Sequence, residues 1–224
     1  MRLVLASTSR YRQALLQRLL GPLGQAFEAA RPDVDEDLSD AEQALPVAER
    51  ATILAVRKAR AVAHREGYQR ALVIGSDQIC VDPEGLVLHK PQTETRALAQ
   101  LARLSGRTHQ LVTAVAVVRV APDNPDNPDN LDDRAERAET LATAVDVHRL
   151  TMRPLGPEAL ARYLACDRPL DCAGSYRLES LGLALFDKIE ADPETADESA
   201  IVGLPLMKTL RLLRDPFGWD PLAF

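Results

Sequence analysis

The sequence predicts an α/β fold. Short apolar runs typical of buried strands alternate along the chain with segments that have the apolar spacing of helices. The 224 residues are 46% hydrophobic and 27% charged, the balance of a soluble globular protein with a sizeable core. No stretch is long and apolar enough to span a bilayer, and the apolar run near the start is too short for a signal peptide.

The first half of the chain shows this alternation clearly. RLVLA is typical of a short buried strand, and the helix that follows from about Arg10 ends at the breaker GPLG. After the carboxylate-rich loop PDVDEDL, a helical pattern extends from about Val47 to Glu66. We predict that ALVIGSDQICV is a buried strand that passes into a polar turn and out again, and that DPEGLVLHKP forms a hairpin turn followed by a strand.

The second half continues the pattern. Thr93 or Thr95 is placed to cap a helix with an apolar leucine face, and QLVTAVAVVRV is the clearest strand in the chain. TAVDVHRLTM has strand alternation, and GPEALARYLACD begins with the Pro that helix starts favour. GLALFDKI is predicted as another strand and GLPLMKTLRLLRD as a closing helix.

One segment between two predicted strands has a different composition. APDNPDNPDNLDDRAERAE repeats a D-N-P unit, consists largely of turn formers at its start and has no apolar face. We therefore predict a mobile surface insertion at about 121–139, which forms a long hairpin connection and has no function of its own.

Charge and cysteine content exclude several classes of protein. The net charge of −6 argues against a basic nucleic-acid-binding face, and aromatic residues make up only 4% of the chain. Cys80, Cys166 and Cys172 are odd in number and lack C-x-x-C spacing, which favours reduced thiols in a cytoplasmic protein. The four histidines are scattered, so a histidine-based metal site is not expected.

The first cluster of polar residues lies between the first strand and the first helix. Ser7, Thr8 and Ser9 are followed by Arg10 and Arg12. A helix N-terminus preceded by small hydroxyl residues presents backbone N–H groups to an anion, and two arginines would strengthen such a site. The alternative is that Ser7 or Ser9 only caps the helix while the arginines point into solvent, and this stretch alone favours neither interpretation.

Other charged residues also lie at the ends of elements. Asp77 follows a buried strand, where a carboxylate is costly unless it is paired or bound to a metal. The acidic stretch VDEDL around Glu36 offers hard oxygen ligands for Mg²⁺ or Mn²⁺, although alone it is more typical of a solvated loop. Lys58 and Lys90 supply point charges for phosphates.

Two further motifs contain glycine together with polar residues or proline. The small residues in DCAGSYRLESLG suggest a close backbone approach, and Glu179 in this motif precedes a predicted strand. The motif VGLPL, with Gly203 and Pro205, is interpreted as structural. Cations, carboxylates and a helix N-terminus together suit a phosphate ester or anhydride bound with a divalent metal.

The motifs also resemble those of a known family. LASTSRYRQALL, VDE, LAVRKA, GSDQI, HKP, LSGRTHQLVTAVAV, CAGSY and VGLPL occur in the order found in the Maf nucleotide pyrophosphatases. The resemblance covers nearly the whole chain except the D-N-P insertion. It implies a single Maf-like domain over residues 1–224, similar to the inosine-triphosphate pyrophosphatases, with an elongated mixed sheet and two lobes around a central cleft.

The resemblance further implies an activity and roles for individual residues. The family hydrolyses nucleoside triphosphates to the monophosphate and pyrophosphate with Mg²⁺ or Mn²⁺, and its members often form homodimers. Asp77 corresponds to the catalytic base, and Glu36 and Asp77 to the metal carboxylates. The phosphate-binding positions are Ser7, Arg12, Lys58 and Lys90.

Three positions distinguish subgroups of this family, namely Tyr11, Gln78 and Glu179. They resemble the subgroup that acts on 7-methyl-GTP, where an aromatic ring could stack on the cationic base and a carboxylate could complement its charge. Gln78 can both donate and accept hydrogen bonds at a base edge. The chain departs from the family at Arg10, where Pro is usual.

Several alternatives stay open at this point. The same chemistry could act on dTTP or UTP, or on other damaged nucleotides. A protein of another class would bind nucleotides and regulate cell division without turnover, although the presence of Asp77, Glu36 and both lysines argues against the loss of catalysis. RNA binding is disfavoured by the low aromatic content.

Overall fold

The computed structural model describes residues 1–121, 139–194 and 196–223, and these residues form an α/β fold. Most of the predicted insertion, residues 122–138, lies outside the described residues. The strands are β1 (Leu3–Leu5), β2 (Glu28–Ala29), β3 (Leu72–Val81), β4 (Val87–Leu88), β5 (Thr108–Val120), β6 (Glu139–Met152) and β7 (Phe186–Ala191). The α-helices are α1 (Arg10–Leu20), α2 (Asp40–Gln43), α3 (Val47–Ala63), α4 (Glu94–Leu104), α5 (Pro157–Asp167) and α6 (Leu206–Arg214).

The strands form a mixed sheet, as predicted. Its order is β2-β1-β3-β5-β6-β7, and β4 pairs with β3 off this path. β1 runs parallel to both β2 and β3, whereas the β3–β4 and β6–β7 pairs are antiparallel. Within the described part of the chain, no helix is long and apolar enough to cross a membrane.

The chain divides into two compact units, which agrees with the two lobes that the resemblance implies. Unit 1 consists of Met1–Asp77, Ala114–Val145 and Gly203–Phe224. Unit 2 consists of Gln78–Thr113 and Asp146–Val202.

In unit 1, helix α3 approaches strand β3 very closely. A Cβ atom placed on Gly75 would lie 2.2 Å from the carbonyl oxygen of Ala55 and 2.7 Å from the amide nitrogen of Ala59. Glycine on the strand and alanines on the helix therefore allow backbone to meet backbone. This approach brings the one buried lysine of α3, Lys58, to the strand that bears Asp77.

In unit 2, apolar side chains from strands and helices surround a few buried polar groups. Leu101 and Leu104 of α4 pack with Leu111, Leu150 and other apolar residues. Thr93 caps α4 by accepting a hydrogen bond from the amide of Arg96, which decides between the two predicted caps.

The β3–β4 hairpin of unit 2 is closed by one buried carboxylate. Asp82 Oδ1 accepts hydrogen bonds from the amides of Glu84, at 3.0 Å, and Leu86, at 2.8 Å, and its other oxygen pairs with Arg103. These bonds, with the Arg103 pair, hold the pKa of Asp82 below its usual value although burial opposes the shift. The predicted hairpin is confirmed.

Two predictions about local structure are wrong. β3 continues without a turn through Ser76 and Asp77, because the Ser76 hydroxyl donates to backbone carbonyls and Asp77 pairs with Lys58. The predicted strand GLALFDKI begins only at Phe186, because the residues before it form a 3₁₀ helix that follows a turn from Arg177 to Gly182.

We expect Gly75→Ala to destabilise the fold. Its methyl group would overlap the backbone of α3, and overpacking of this kind lowers the free energy of unfolding by about 1–3 kcal/mol. Urea denaturation measures the loss. The control is Gly21→Ala, whose methyl meets only the flexible end of the Gln17 side chain. Equal stability of both variants would contradict the tight packing of α3 against β3.

Candidate active site

The start of helix α1 uses its two serines differently. Ser9 is the N-cap and accepts a hydrogen bond from the Arg12 amide. Ser7 is buried, and its hydroxyl oxygen accepts from the amide of Ser9 at 3.1 Å. Among the described residues, no acceptor is found for the Ser7 hydroxyl proton. Of the two serines predicted as possible helix caps, Ser9 therefore has this role. The hydroxyl group of Ser7 is available to donate to a ligand.

Arg12 is anchored at only one of its nitrogens. Nε donates to the carbonyl oxygen of Gly203 at 2.8 Å. The terminal nitrogens make no hydrogen bond or ion pair in the part of the chain that the structure describes. Burial lowers the pKa of the guanidinium, and the negative charges of Asp77 and Glu36 oppose this shift. The terminal nitrogens of Arg12 thus present a charged edge of unused hydrogen-bond donors near two carboxylates.

Lys58 bridges those two carboxylates. Its Nζ lies 2.6 Å from Asp77 Oδ1 and 3.1 Å from Glu36 Oε1. The Lys58 and Asp77 side chains are only 7% and 9% exposed, whereas that of Glu36 is 61% exposed. Two charges removed from water in this way need each other, since loss of one partner would leave the other buried and uncompensated.

The same carboxylates are chemically suited to a divalent cation. Glu36 and Asp77 provide hard oxygen ligands, and Asp77 accepts the hydrogen bond from Lys58 through Oδ1 alone. Among the described residues, no group of three or more His, Cys, Asp or Glu side chains is arranged to hold a metal. Mg²⁺ commonly binds through one or two carboxylates together with substrate phosphates, so these residues fit a cation shared with a phosphate ligand.

Tyr11 is half-buried beside Arg10. The Arg10 guanidinium carbon lies 4.9 Å from the centre of the tyrosine ring, and Nη2 donates to the Tyr11 hydroxyl at 2.8 Å. The residue at which the chain departs from the family pattern therefore covers part of the aromatic surface that was predicted to recognise the base.

Gln78 belongs to unit 2 and is fixed by its own unit. Its Nε2 donates to the Thr113 hydroxyl at 3.0 Å and to the carbonyl oxygens of Ala200, at 2.9 Å, and Ile201, at 3.1 Å. The amide donors are thus already used. Only the Gln78 carbonyl oxygen is left to accept a hydrogen bond, so the predicted donation to a base would require these bonds to break.

The other two predicted residues of unit 2 are exposed. Lys90 makes no hydrogen bond or ion pair with any described residue. Partial desolvation of the Glu179 carboxyl raises its pKa, and the nearby carboxylates of Asp167 and Asp171 add to this shift while Arg177 opposes it. Unit 1 therefore contains all five predicted residues Ser7, Arg12, Glu36, Lys58 and Asp77, and it brings the last four together. Unit 2 contains Lys90, Gln78 and Glu179.

Sequence reasoning missed Gly203, which contacts this group, and Ser76, which contacts Gly203. The Gly203 carbonyl, interpreted as part of a structural motif, binds Arg12, and it also accepts from the buried Ser76 hydroxyl at 2.8 Å. Two features of the sequence could have indicated these residues, namely the glycine in VGLPL and the serine next to Asp77 within an apolar strand.

Known proteins of similar sequence match almost the whole chain. The profile of the family described as Maf-like protein matches residues 2–216. The 7-methyl-GTP pyrophosphatase of Xanthomonas campestris pv. campestris (strain 8004) is 43% identical over 215 residues, which cover 95% of each chain. Proteins of the same name from Polaromonas sp. (strain JS666 / ATCC BAA-500) and Pseudomonas aeruginosa are 43% and 37% identical, over 95% and 94% of this chain and 83% and 94% of their own. The chain therefore belongs to the Maf family.

Proposed function

We propose that this protein hydrolyses 7-methyl-GTP to 7-methyl-GMP and pyrophosphate. The observation that supports this activity most strongly is the buried Lys58–Asp77 ion pair. Glu36 and the unused donor edge of Arg12 lie beside this pair. The name shared by relatives that match almost the full length of the chain supports the choice of base.

The cationic residues suit the triphosphate. The Arg12 fork can engage two phosphate oxygens, and Lys58 supplies a second positive charge a short distance away. The Ser7 hydroxyl and the exposed Lys90 would add a donor and a charge. These groups neutralise the negative charge that develops on pyrophosphate as it leaves, an effect that is strongest where water is excluded.

Asp77 is the group proposed to act on the attacking water. Its carboxylate is held in place by Lys58, and its second oxygen can accept a proton from water or orient it towards the α-phosphorus. A divalent cation held by Glu36 and Asp77 would supply Lewis-acid polarisation of the phosphate oxygens.

Base recognition is assigned to the three subgroup residues. The Tyr11 ring can stack on the positively charged 7-methylguanine, and Glu179 can complement the charge of the base. The Gln78 carbonyl oxygen can accept a hydrogen bond from an N–H of guanine.

We also infer a cytoplasmic location from the cysteine content, and a homodimer in line with the resemblance. The three cysteines are free thiols in the structure, which supports a reducing compartment. Both inferences are independent of the catalytic proposal.

A substrate panel tests the function directly. We expect kcat/KM for 7-methyl-GTP to exceed that for GTP by about tenfold or more, because a desolvated cation–π contact contributes about 2 kcal/mol. The panel adds dTTP and UTP, with Mg²⁺, Mn²⁺ or a chelator. Preference for a pyrimidine would contradict the roles of Tyr11 and Glu179, and no pyrophosphate release from any substrate would favour a binding protein without turnover.

Asp77→Asn tests the catalytic assignment. The substitution keeps the volume but removes the charge and the basicity, so kcat should fall by roughly 10²–10⁴-fold. Asp82→Asn is the matched control, since it also removes a buried, ion-paired carboxylate, but one that closes the β3–β4 hairpin. Both variants should lose thermal stability, and only the first should lose turnover. Near-normal kcat in Asp77→Asn would refute Asp77 as the base.

Arg10→Ala tests the recognition of the base by Tyr11. Arg10 and a cationic base would compete for the same ring, and an exposed cation–π contact is worth about 0.5–1 kcal/mol. KM for 7-methyl-GTP should therefore fall by about two- to fivefold, with a smaller change for GTP, whose base is uncharged. Arg10→Lys, which retains a cation, is the control. An equal change of KM for both nucleotides would mean that Arg10 acts on the phosphates.

A further inference from the structure

The carbonyl oxygen of Gly203 is the single anchor of the Arg12 side chain among the described residues. It accepts from Arg12 Nε at 2.8 Å and from Ser76 Oγ at 2.8 Å. Ser76 is fully buried, and its single hydroxyl proton is shared between this oxygen and the carbonyl oxygen of Ala114 on β5, also at 2.8 Å. A buried hydroxyl of the sheet thus holds the backbone group that holds Arg12.

A hydrogen bond at Nε determines how the guanidinium is presented. The guanidinium is planar, so a hydrogen bond from Nε to a carbonyl restricts its orientation and leaves the edge formed by the two terminal nitrogens for a ligand. A free arginine side chain loses rotamer entropy when it binds a ligand. An arginine that is already held loses less of it, and the ligand is bound more tightly.

The backbone at Gly203 is suited to this task. Its φ of +112° is a conformation that L-residues rarely adopt, and a Cβ atom there would lie 3.4 Å from Arg12 Nε. Glycine therefore allows both the backbone conformation and the close passage of the arginine side chain.

Ser76 acts at a distance from any substrate. It precedes Asp77 in β3, and neighbouring side chains of a strand point to opposite faces, so its hydroxyl lies on the face away from the Asp77 carboxylate. Among the described residues, its hydroxyl is hydrogen-bonded only to the carbonyl oxygens of Ala114 and Gly203.

We infer that Ser76 and Gly203 are positioning residues that hold the Arg12 guanidinium in the orientation in which it binds phosphate. This inference rests on the proposed function only in taking Arg12 as a phosphate ligand. It gives β3 two roles in unit 1, since the strand presents Asp77 on one face and supports Arg12 from the other.

A double-mutant cycle tests the inference. Pyrophosphate binding is measured by calorimetry, and KM and kcat for 7-methyl-GTP by pyrophosphate release, in wild type, Ser76→Ala, Arg12→Ala and the double variant. Loss of the hydrogen bond between Ser76 and Gly203 should weaken pyrophosphate binding and raise KM by about two- to tenfold, with little change in kcat. In the Arg12→Ala background, Ser76→Ala should have no further effect.

Thr209→Val is the matched control. Thr209 is another fully buried residue of unit 1 whose hydroxyl donates to a backbone carbonyl, that of Pro205, and it is hydrogen-bonded to neither Gly203 nor Arg12. It should lower the thermal midpoint but leave pyrophosphate affinity unchanged. If Ser76→Ala does not fold, Ser76→Cys, with a weaker donor, enters the same cycle.

The outcomes separate this inference from the proposed function. Unchanged pyrophosphate affinity in Ser76→Ala, or an equal loss with and without Arg12, would overturn the positioning role. Pyrophosphate binding that depends on both residues, without hydrolysis of any triphosphate, would support the positioning role and contradict the proposed enzyme. Absence of pyrophosphate binding in the wild type would overturn the inference.

Discussion

The buried ion pair between Lys58 and Asp77 is the interaction on which the rest of the site depends. Both side chains are almost completely removed from water, and each is stable there only with the other present. The pair forms because α3 lies directly against β3, where Gly75 meets the alanines of the helix. A packing requirement of the fold therefore places a cation and a carboxylate in one position, where their chemistry can be used.

The remaining charges of unit 1 are arranged around this pair. Glu36 reaches Lys58 from an exposed loop, and Arg12 reaches the same region from the first turn of α1. Two cations and two carboxylates balance each other, and only the loop carboxylate is well exposed. Such a group can accept a polyphosphate and a divalent cation together without a large net change in buried charge.

Much of this arrangement could be predicted from the sequence. The alternation of strands and helices and the placement of the hairpin follow from local apolar patterns and turn residues, and both are found in the structure. Asp77 could be singled out because a carboxylate at a buried strand requires a partner. Its partner Lys58 is on a helix whose apolar periodicity was also clear, although nothing in the sequence states that the two side chains meet.

What could not be predicted depends on contacts between distant parts of the chain. The polar residues of β3 suggested a turn because their partners, at positions 58, 114 and 203, are far away in sequence. A backbone carbonyl such as that of Gly203 has no side-chain signature, so its bond to Arg12 could not be read from residue types. The contact of Arg10 with Tyr11 was equally hidden, since adjacent residues on a helix do not ordinarily face each other.

In the proposed reaction, a water molecule oriented by Asp77 attacks the α-phosphorus. Hydrolysis of 7-methyl-GTP in water enriched in heavy oxygen tests this most directly, with the products separated and analysed by mass spectrometry. We expect the heavy oxygen to appear in 7-methyl-GMP and pyrophosphate to contain none. Heavy oxygen in pyrophosphate, or release of orthophosphate as the first product, would contradict this mechanism.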